Sequence, residues 1–214
     1  MGASTLLDII GSFIVFGMLL LSGLGMDLNA INDRFAYNTS VNLQLQLVSL
    51  TAQIENDFQK IGYDPTQTTL TNPSSSAVRY GNANDFRFAG DMNNDGVIDS
   101  VEYLLGPSQN LSNPAICILV RKFWDGSNAA NNRVDSIKAG VTELRFAYYM
   151  TNTDSPINSL PVGDSSGVGM IRLSLSLQSP DKFTGSTVYQ QTDTSLYSVY
   201  WKQFEIVSKN MTWR

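Results

Sequence analysis

Oxygen-bearing side chains recur at alternate positions in one short stretch, Asp91-Met-Asn93-Asn-Asp95-Gly96-Val97-Ile98-Asp99-Ser-Val-Glu102. This spacing turns the oxygens of Asp91, Asn93 and Asp95 toward one point, and Gly96 allows the sharp bend that follows. Val97 adds a main-chain carbonyl, Asp99 contributes directly or through water, and Glu102 offers two oxygens at the twelfth place. The matching guest is Ca²⁺, a hard cation that takes roughly six to eight oxygen ligands, and the stretch agrees with the twelve-residue calcium loop at every specified place. Gathered without a cation, Asp91, Asp95 and Asp99 would repel one another. The plainer alternative is a polar Asn/Asp turn that binds nothing. One loop with no second copy fits a structural ion better than a sensor.

Other chemistry is largely closed off. Histidine is absent and Cys117 is the single cysteine, which removes Ser-His-Asp and Cys-His catalysis, His-ligated metals and any internal disulfide. Neither a phosphate loop nor a dinucleotide fingerprint occurs. The expectation is a protein that is not an enzyme. With 19 acidic against 14 basic residues and a net charge of −5, the chain also lacks the basic footprint of a nucleic-acid binder.

The loop needs a scaffold, and its flanks read as strands rather than helices. Asp85-Phe-Arg-Phe-Ala before it and Val101-Glu-Tyr-Leu-Leu after it look like the arms of a β-hairpin. An extended backbone after Asp99 leaves Glu102 free to point away from the others. Candidate strands are Ala77–Tyr80, Phe86–Ala89, Ser100–Leu105, Ile116–Phe123, Val141–Met150, Met170–Leu177 and Val199–Val207. The clearest alternations run through Leu144, Phe146, Tyr148 and Met150, and through Ile171, Leu173, Leu175 and Leu177. They predict an antiparallel sheet with one buried face. Tyr148, Tyr149, Tyr200, Trp201 and Trp213 read as core aromatics, and Cys117 as a buried hydrophobe. Thr66–Ser76, Thr151–Gly169 and Ser179–Ser198 read as loops, and Asn38, Asn110 and Asn210 open glycosylation sequons.

Ahead of this β-rich part, Ile9–Met26 is an uninterrupted run of apolar and small residues. Its 18 positions span about 27 Å as a helix, close to the hydrocarbon thickness of a bilayer. A cleaved secretory signal is the rival, but no Lys or Arg precedes the run. Further on, Leu43, Leu47, Leu50, Ile54, Phe58 and Ile61 fall at helical spacing between polar residues, and Gly62 stands where a helix would end. One helix is therefore predicted from about Thr5 to Ile61, weakest at Asn38–Asn42. The fold class is α+β: residues 1–62 form a membrane or filament-core helix, and residues 63–214 a β-rich head carrying the calcium loop at 91–102. The C-terminal half of the helix packs on the antiparallel sheet.

Asp8 sits at the edge of the apolar run, where an unpaired carboxylate is costly. Gly2-Ala3-Ser4-Thr5-Leu6-Leu7-Asp8-Ile9-Ile10 resembles the start of type IV pilins and pseudopilins. Cleavage after Ala3 would make Asp8 the fifth residue, where that family usually carries glutamate. The strand-flanked calcium loop, Asp91 to Tyr103, is similar to loops of pilin-like proteins. The resemblance implies that Asp8 neutralises a neighbour's α-amino group as helices bundle, and that Gly17–Gly25 loosens on assembly. It implies a structural subunit of an extracellular filament whose partners are copies of itself, other pilin-like subunits and assembly machinery, with the inner membrane holding the chain beforehand. A minor pseudopilin that primes or tips a secretion machine is the alternative. A monomeric, membrane-anchored calcium-dependent binding module is the third reading.

Overall fold

Six apolar residues on one helical stripe decide where the helix meets the rest of the chain. The computed structural model describes residues 2–65, 77–108, 112–150, 156, 168–181 and 197–207. In it α1 spans Gly2–Gln59, 58 residues in one piece, about 87 Å by its rise. It runs unbroken through Asn38–Asn42 and through Gly11, Gly17, Gly23 and Gly25. A tight turn closes it: the N–H groups of Lys60 and Ile61 donate to the carbonyls of Asp57 and Phe58, each at 3.1 Å. Gly62 then takes a positive φ of 69°, as expected of the residue past a helix end. Its N–H leaves the helix altogether and donates to the carbonyl of Ala89 at 2.8 Å.

Seven strands follow: β1 (Val78–Gly81), β2 (Asp85–Gly90), β3 (Asp99–Ser108), β4 (Cys117–Trp124), β5 (Arg133–Met150), β6 (Val168–Gln178) and β7 (Val199–Ile206). They form one sheet in chain order, each neighbouring pair antiparallel. Every expected strand is present; β3 runs on to Ser108, β6 starts at Val168 inside the stretch read as a loop, and the largest correction is to β5. β5 begins at Arg133 rather than Val141, because its first residues pair with β4 in a mostly exposed ribbon. A strand wet on both faces leaves no apolar alternation to read.

One face of the sheet packs on α1. Leu43, Leu47, Leu50, Ile54, Phe58 and Ile61 are all buried, none more than 8% exposed. Facing them are Phe86 and Phe88 on β2, Tyr103 on β3, Leu119 on β4, Phe146 on β5 and the Ile171–Leu177 alternation on β6. The Phe58 ring sits 5.4 Å from Phe86, 5.1 Å from Phe88 and 5.9 Å from Tyr103, spacings at which tilted aromatic pairs attract beyond their buried area.

Three side chains expected in the core are elsewhere. On β7, Tyr200 and Phe204 face the helix, so the period of two turns Trp201 outward, 71% exposed. Cys117 is half-buried, because it opens β4 where the pairing with β3 and β5 shifts register. Tyr148 is in the core as expected, whereas Tyr149, also buried, lies on the opposite face of the sheet beneath Arg172. The loop at Thr66–Ser76, most of those at Thr151–Gly169 and Ser179–Ser198, the asparagines of the sequons at 110 and 210, and Trp213 lie outside the described residues.

Candidate functional site

The acidic loop joins β2 to β3, and its turns are made by the alternating oxygen side chains themselves. Asp91, fully buried, accepts from the N–H groups of Asn94 at 2.6 Å and Asp95 at 3.2 Å on one oxygen and of Gly96 at 2.9 Å on the other. Asn93 Oδ1 accepts from Asp95 N–H at 3.0 Å, and its amide donates to Asp95 Oδ2 at 2.9 Å. Asp95 Oδ1 in turn accepts from Val97 N–H at 2.8 Å. Asn94 and Gly96 hold positive φ values of 62° and 86°, conformations that Asn and Gly tolerate better than other residues. The Val97 N–H, followed by the Ser127 and Asn93 side chains, keeps the Asp95 carboxyl below the ordinary aspartate range.

Asp99 closes the loop from the far side. It is fully buried and accepts from Met92 N–H at 3.0 Å and Gly126 N–H at 2.9 Å. Asp91, Asn93, Asp95 and Asp99 are thus tied into one loop through side chains and amides. Glu102 is not brought to them. Asp99, Val101 and Tyr103 face the helix, so the alternation of β3 sends Glu102 to the other face, where its carboxylate lies 3.2 Å from Lys122 Nζ. Val97 is 39% exposed. Among the described residues, no group of three Asp, Glu, His or Cys side chains stands ready as a metal cage. The donors at Asp91, Asn93, Asp95 and Asp99 are hard oxygens, which suits Ca²⁺ in kind. Backbone N–H dipoles already meet the like charges that sequence reasoning assigned to a cation alone.

Several residues of this region escaped the motif. Asp125, in the β4–β5 connection, accepts from Ser127 N–H and Oγ, Asn128 N–H and Asn131 Nδ2. The Ser127 hydroxyl and the Asn131 amide hold its carboxyl well below the ordinary range. Gly126, which donates to Asp99, lies so close to Ile98 that an added Cβ would stand 2.2 Å from the Ile98 carbonyl oxygen. The acidic loop is also fastened to the end of α1. Asp91 N–H donates to Tyr63 O at 2.8 Å, and Lys60 Nζ to Met92 O at 2.6 Å.

A second polar cluster pins the helix to the sheet. Asp57 Oδ2 accepts from Arg121 Nε at 2.7 Å and from Tyr103 OH at 2.6 Å, and all three residues are buried. Burial, then the neighbouring Asp57 charge, pushes the Tyr103 hydroxyl well above its ordinary range. The sequence held a signal for this pair. Asp57 lies three residues after Ile54 on the buried arc, and Arg121 stands between Leu119 and Phe123 on the buried phase of β4. Two opposite charges out of pattern on facing surfaces predict each other.

The N-terminal part of α1 contrasts with this packing. From Leu6 through Tyr37 the large apolar side chains are exposed, Phe13 at 71% and Leu21 at 70% among them. The helix is long and apolar enough to cross a membrane, so the chain carries a segment compatible with membrane anchoring or with a signal sequence. Asp8 lies exposed on this rod, beyond its first turn, and forms no ion pair with a described residue. Compared with models of protein families, with curated proteins and with solved structures, the chain matches none.

Proposed function

We propose that this chain is a structural subunit of an extracellular filament of the type IV pilus kind. It would be held in the inner membrane before assembly and bundled through its N-terminal helix afterwards. The observation that carries the reading is the change of character along one unbroken helix: exposed apolar side chains from Leu6 to Tyr37, then the buried stripe from Leu43 to Ile61. Fully exposed apolar surface of that extent is stable only against lipid or against other apolar helices. Sister helices satisfy it in a polymer, and the bilayer does so beforehand. Asp8 is then the carboxylate that opens the uncharged run Ile9–Met26, and burying it next to a neighbour's α-amino group lowers the cost for both charges.

The head's acidic loop is assigned a structural Ca²⁺ held by Asp91, Asn93, Asp95 and Asp99 with the Val97 carbonyl. Glu102 is left out because its strand phase sends it to Lys122. When bound, the ion supplies positive charge between carboxylates that otherwise rely on N–H dipoles alone. The assembly reading is tested by shearing surface material from cells that make the chain, imaging it and identifying its main protein. The expected result is a filament made of this chain, abundant in the wild type and strongly reduced in Asp8→Ala, whose head still folds. A chain that stays a solitary particle in detergent and in cells, with Asp8→Ala indistinguishable from wild type, removes the reading. A scarce species confined to filament ends points instead to a priming subunit.

A further inference from the structure

The sheet face turned away from α1 has one region whose charged groups form no ion pair among the described residues, although Ser176 Oγ accepts from the Thr142 hydroxyl at 3.4 Å. Across β5, β6 and β7 the register sets Glu143 opposite Ser176 and Ser176 opposite Trp201; the next row is Arg145, Ser174 and Gln203. Period-two alternation sends all six side chains to this outer face, because Leu144, Leu173 and Leu175 take the inner one. The small serines on the central strand leave a groove of about 350 Å³, with Glu143 and Arg145 along one wall and Val199 and Trp201 along the other. That volume lies within the range of small-ligand sites.

Elsewhere on the same face several charges and rings have partners. Arg87 lies over the Trp124 ring at 4.0 Å, Glu102 pairs with Lys122 at 3.2 Å, and Arg172 pairs with Glu205 at 2.6 Å while covering the Tyr149 ring. Glu143 and Arg145 form no ion pair with a described residue, and no described cation covers Trp201. The groove therefore offers an open indole face, a carboxylate acceptor, a guanidinium donor and a floor of hydroxyls.

We infer that this groove binds a neutral pyranose oligosaccharide along β6. A pyranose ring has an apolar face of C–H groups and a rim of hydroxyls that both donate and accept. The indole of Trp201 matches the face, and Glu143, Arg145 and the two serines match the rim. These two charges, unpaired among the described residues, are of opposite sign, so they favour a polar, uncharged guest over an ionic one. Apolar and polar residues both line the groove, Trp201, Val199 and Leu175 against Glu143, Arg145, Ser174 and Ser176, and charged residues of this kind are depleted at the centre of a protein–protein contact. The inference stands whether or not the rod forms filaments.

The test uses the full chain in a zwitterionic detergent without a sugar headgroup. It is titrated with neutral hexasaccharides built on glucose, mannose, galactose and N-acetylglucosamine and followed by tryptophan emission and calorimetry. The expected result is saturable binding of at least one sugar, weakened at least tenfold in Trp201→Ala and several-fold in Glu143→Gln and Arg145→Ala. In Trp124→Phe, affinity stays unchanged. Each variant is checked by circular dichroism, and Trp201→Phe should regain part of the affinity. No saturable binding of any of the four overturns the inference, as does equal affinity in Trp201→Ala. Loss of self-association in Trp201→Ala without sugar binding by the wild type makes the groove a contact between copies of this chain and likewise overturns it.

Discussion

The two halves of α1 share a backbone and an apolar character but live in different solvents. From Leu43 to Ile61 one narrow stripe is buried by the sheet and the remaining surface is polar. From Leu6 to Ile31 apolar residues point in every direction and lie exposed in the isolated chain. A stripe is what a helix needs to lie on one sheet, whereas all-round apolarity is what it needs to be surrounded. The difference teaches that one helix can carry two unrelated contracts: an intramolecular one that folds the head, and an intermolecular one that the head cannot fulfil.

The comparison is broken most severely by truncating one ring in each half. Phe58→Ala removes the centre of the aromatic cluster and should cost about 4 kcal/mol of head stability. Phe13→Ala should leave the head's denaturation midpoint unchanged and lower only its partition into membranes or filaments. Equal effects on head stability would mean that the rod takes part in the fold.

Charges sharpen the same contrast. Asp57→Ala leaves the buried Arg121 with only the half-exposed carboxylate of Asp135, 3.3 Å away, and should cost about 3 kcal/mol, since breaking a buried pair leaves its ion poorly compensated. Adding Arg121→Met should recover most of that loss. The matching change in the exposed half, Asp33→Ala, should be silent in the same unfolding titration. The contacts of Asp57 with Arg121 and Tyr103 also mark one axial position of the helix on the sheet. A stripe with hydrophobic residues at 43, 47, 50, 54 and 61 nearly repeats after seven residues, and an apolar surface alone distinguishes such positions poorly.

Calcium should act on one half only. At free Ca²⁺ a hundredfold above its dissociation constant, the head should gain about 2.7 kcal/mol, read as a melting temperature that falls on adding chelator. Because the loop is bonded to Tyr63 and Lys60, the amides of Gly62 and Asp91 should exchange more slowly with the ion present, whereas those near Gly17 should not respond. A melting temperature indifferent to chelator argues against the ion. A calcium-dependent melting temperature without slower exchange at Gly62 argues only against its link to the helix end.

The smallest effect expected is one of pH on the head. Burial, with Glu102 nearby, raises the Asp85 carboxyl to about 6, and one of its oxygens is buried without a hydrogen-bond partner. A carboxyl whose folded value is raised stabilises the fold when protonated, so its contribution is present below about 4 and lost as pH rises through about 6. Head stability should therefore rise modestly from pH 7 to pH 5, and Asp85→Asn should flatten that rise. Asp95 and Asp125 act in the opposite sense, because their carboxyls are held down. Their stabilisation is present above the ordinary aspartate range and is lost as pH falls below it.

Much of this architecture was written in periodicity. A stripe spaced by threes and fours placed Leu43 through Ile61 in the core, and alternation by twos located seven strands and the inner face of β6, because both periods follow directly from backbone geometry. Composition alone marked the rod from Ile9 to Met26. The tertiary structure decided what no local pattern encodes. It paired Asp57 with Arg121 across 64 positions, sent Glu102 away from the loop it seemed to complete, and fastened that loop to the end of α1. It also turned Trp201 outward beside Glu143 and Arg145. Each of these depends on which face of one element meets which face of another. Register and long-range pairing set that relation, and the hydrophobic pattern within any single segment is the same whichever partner lies across from it.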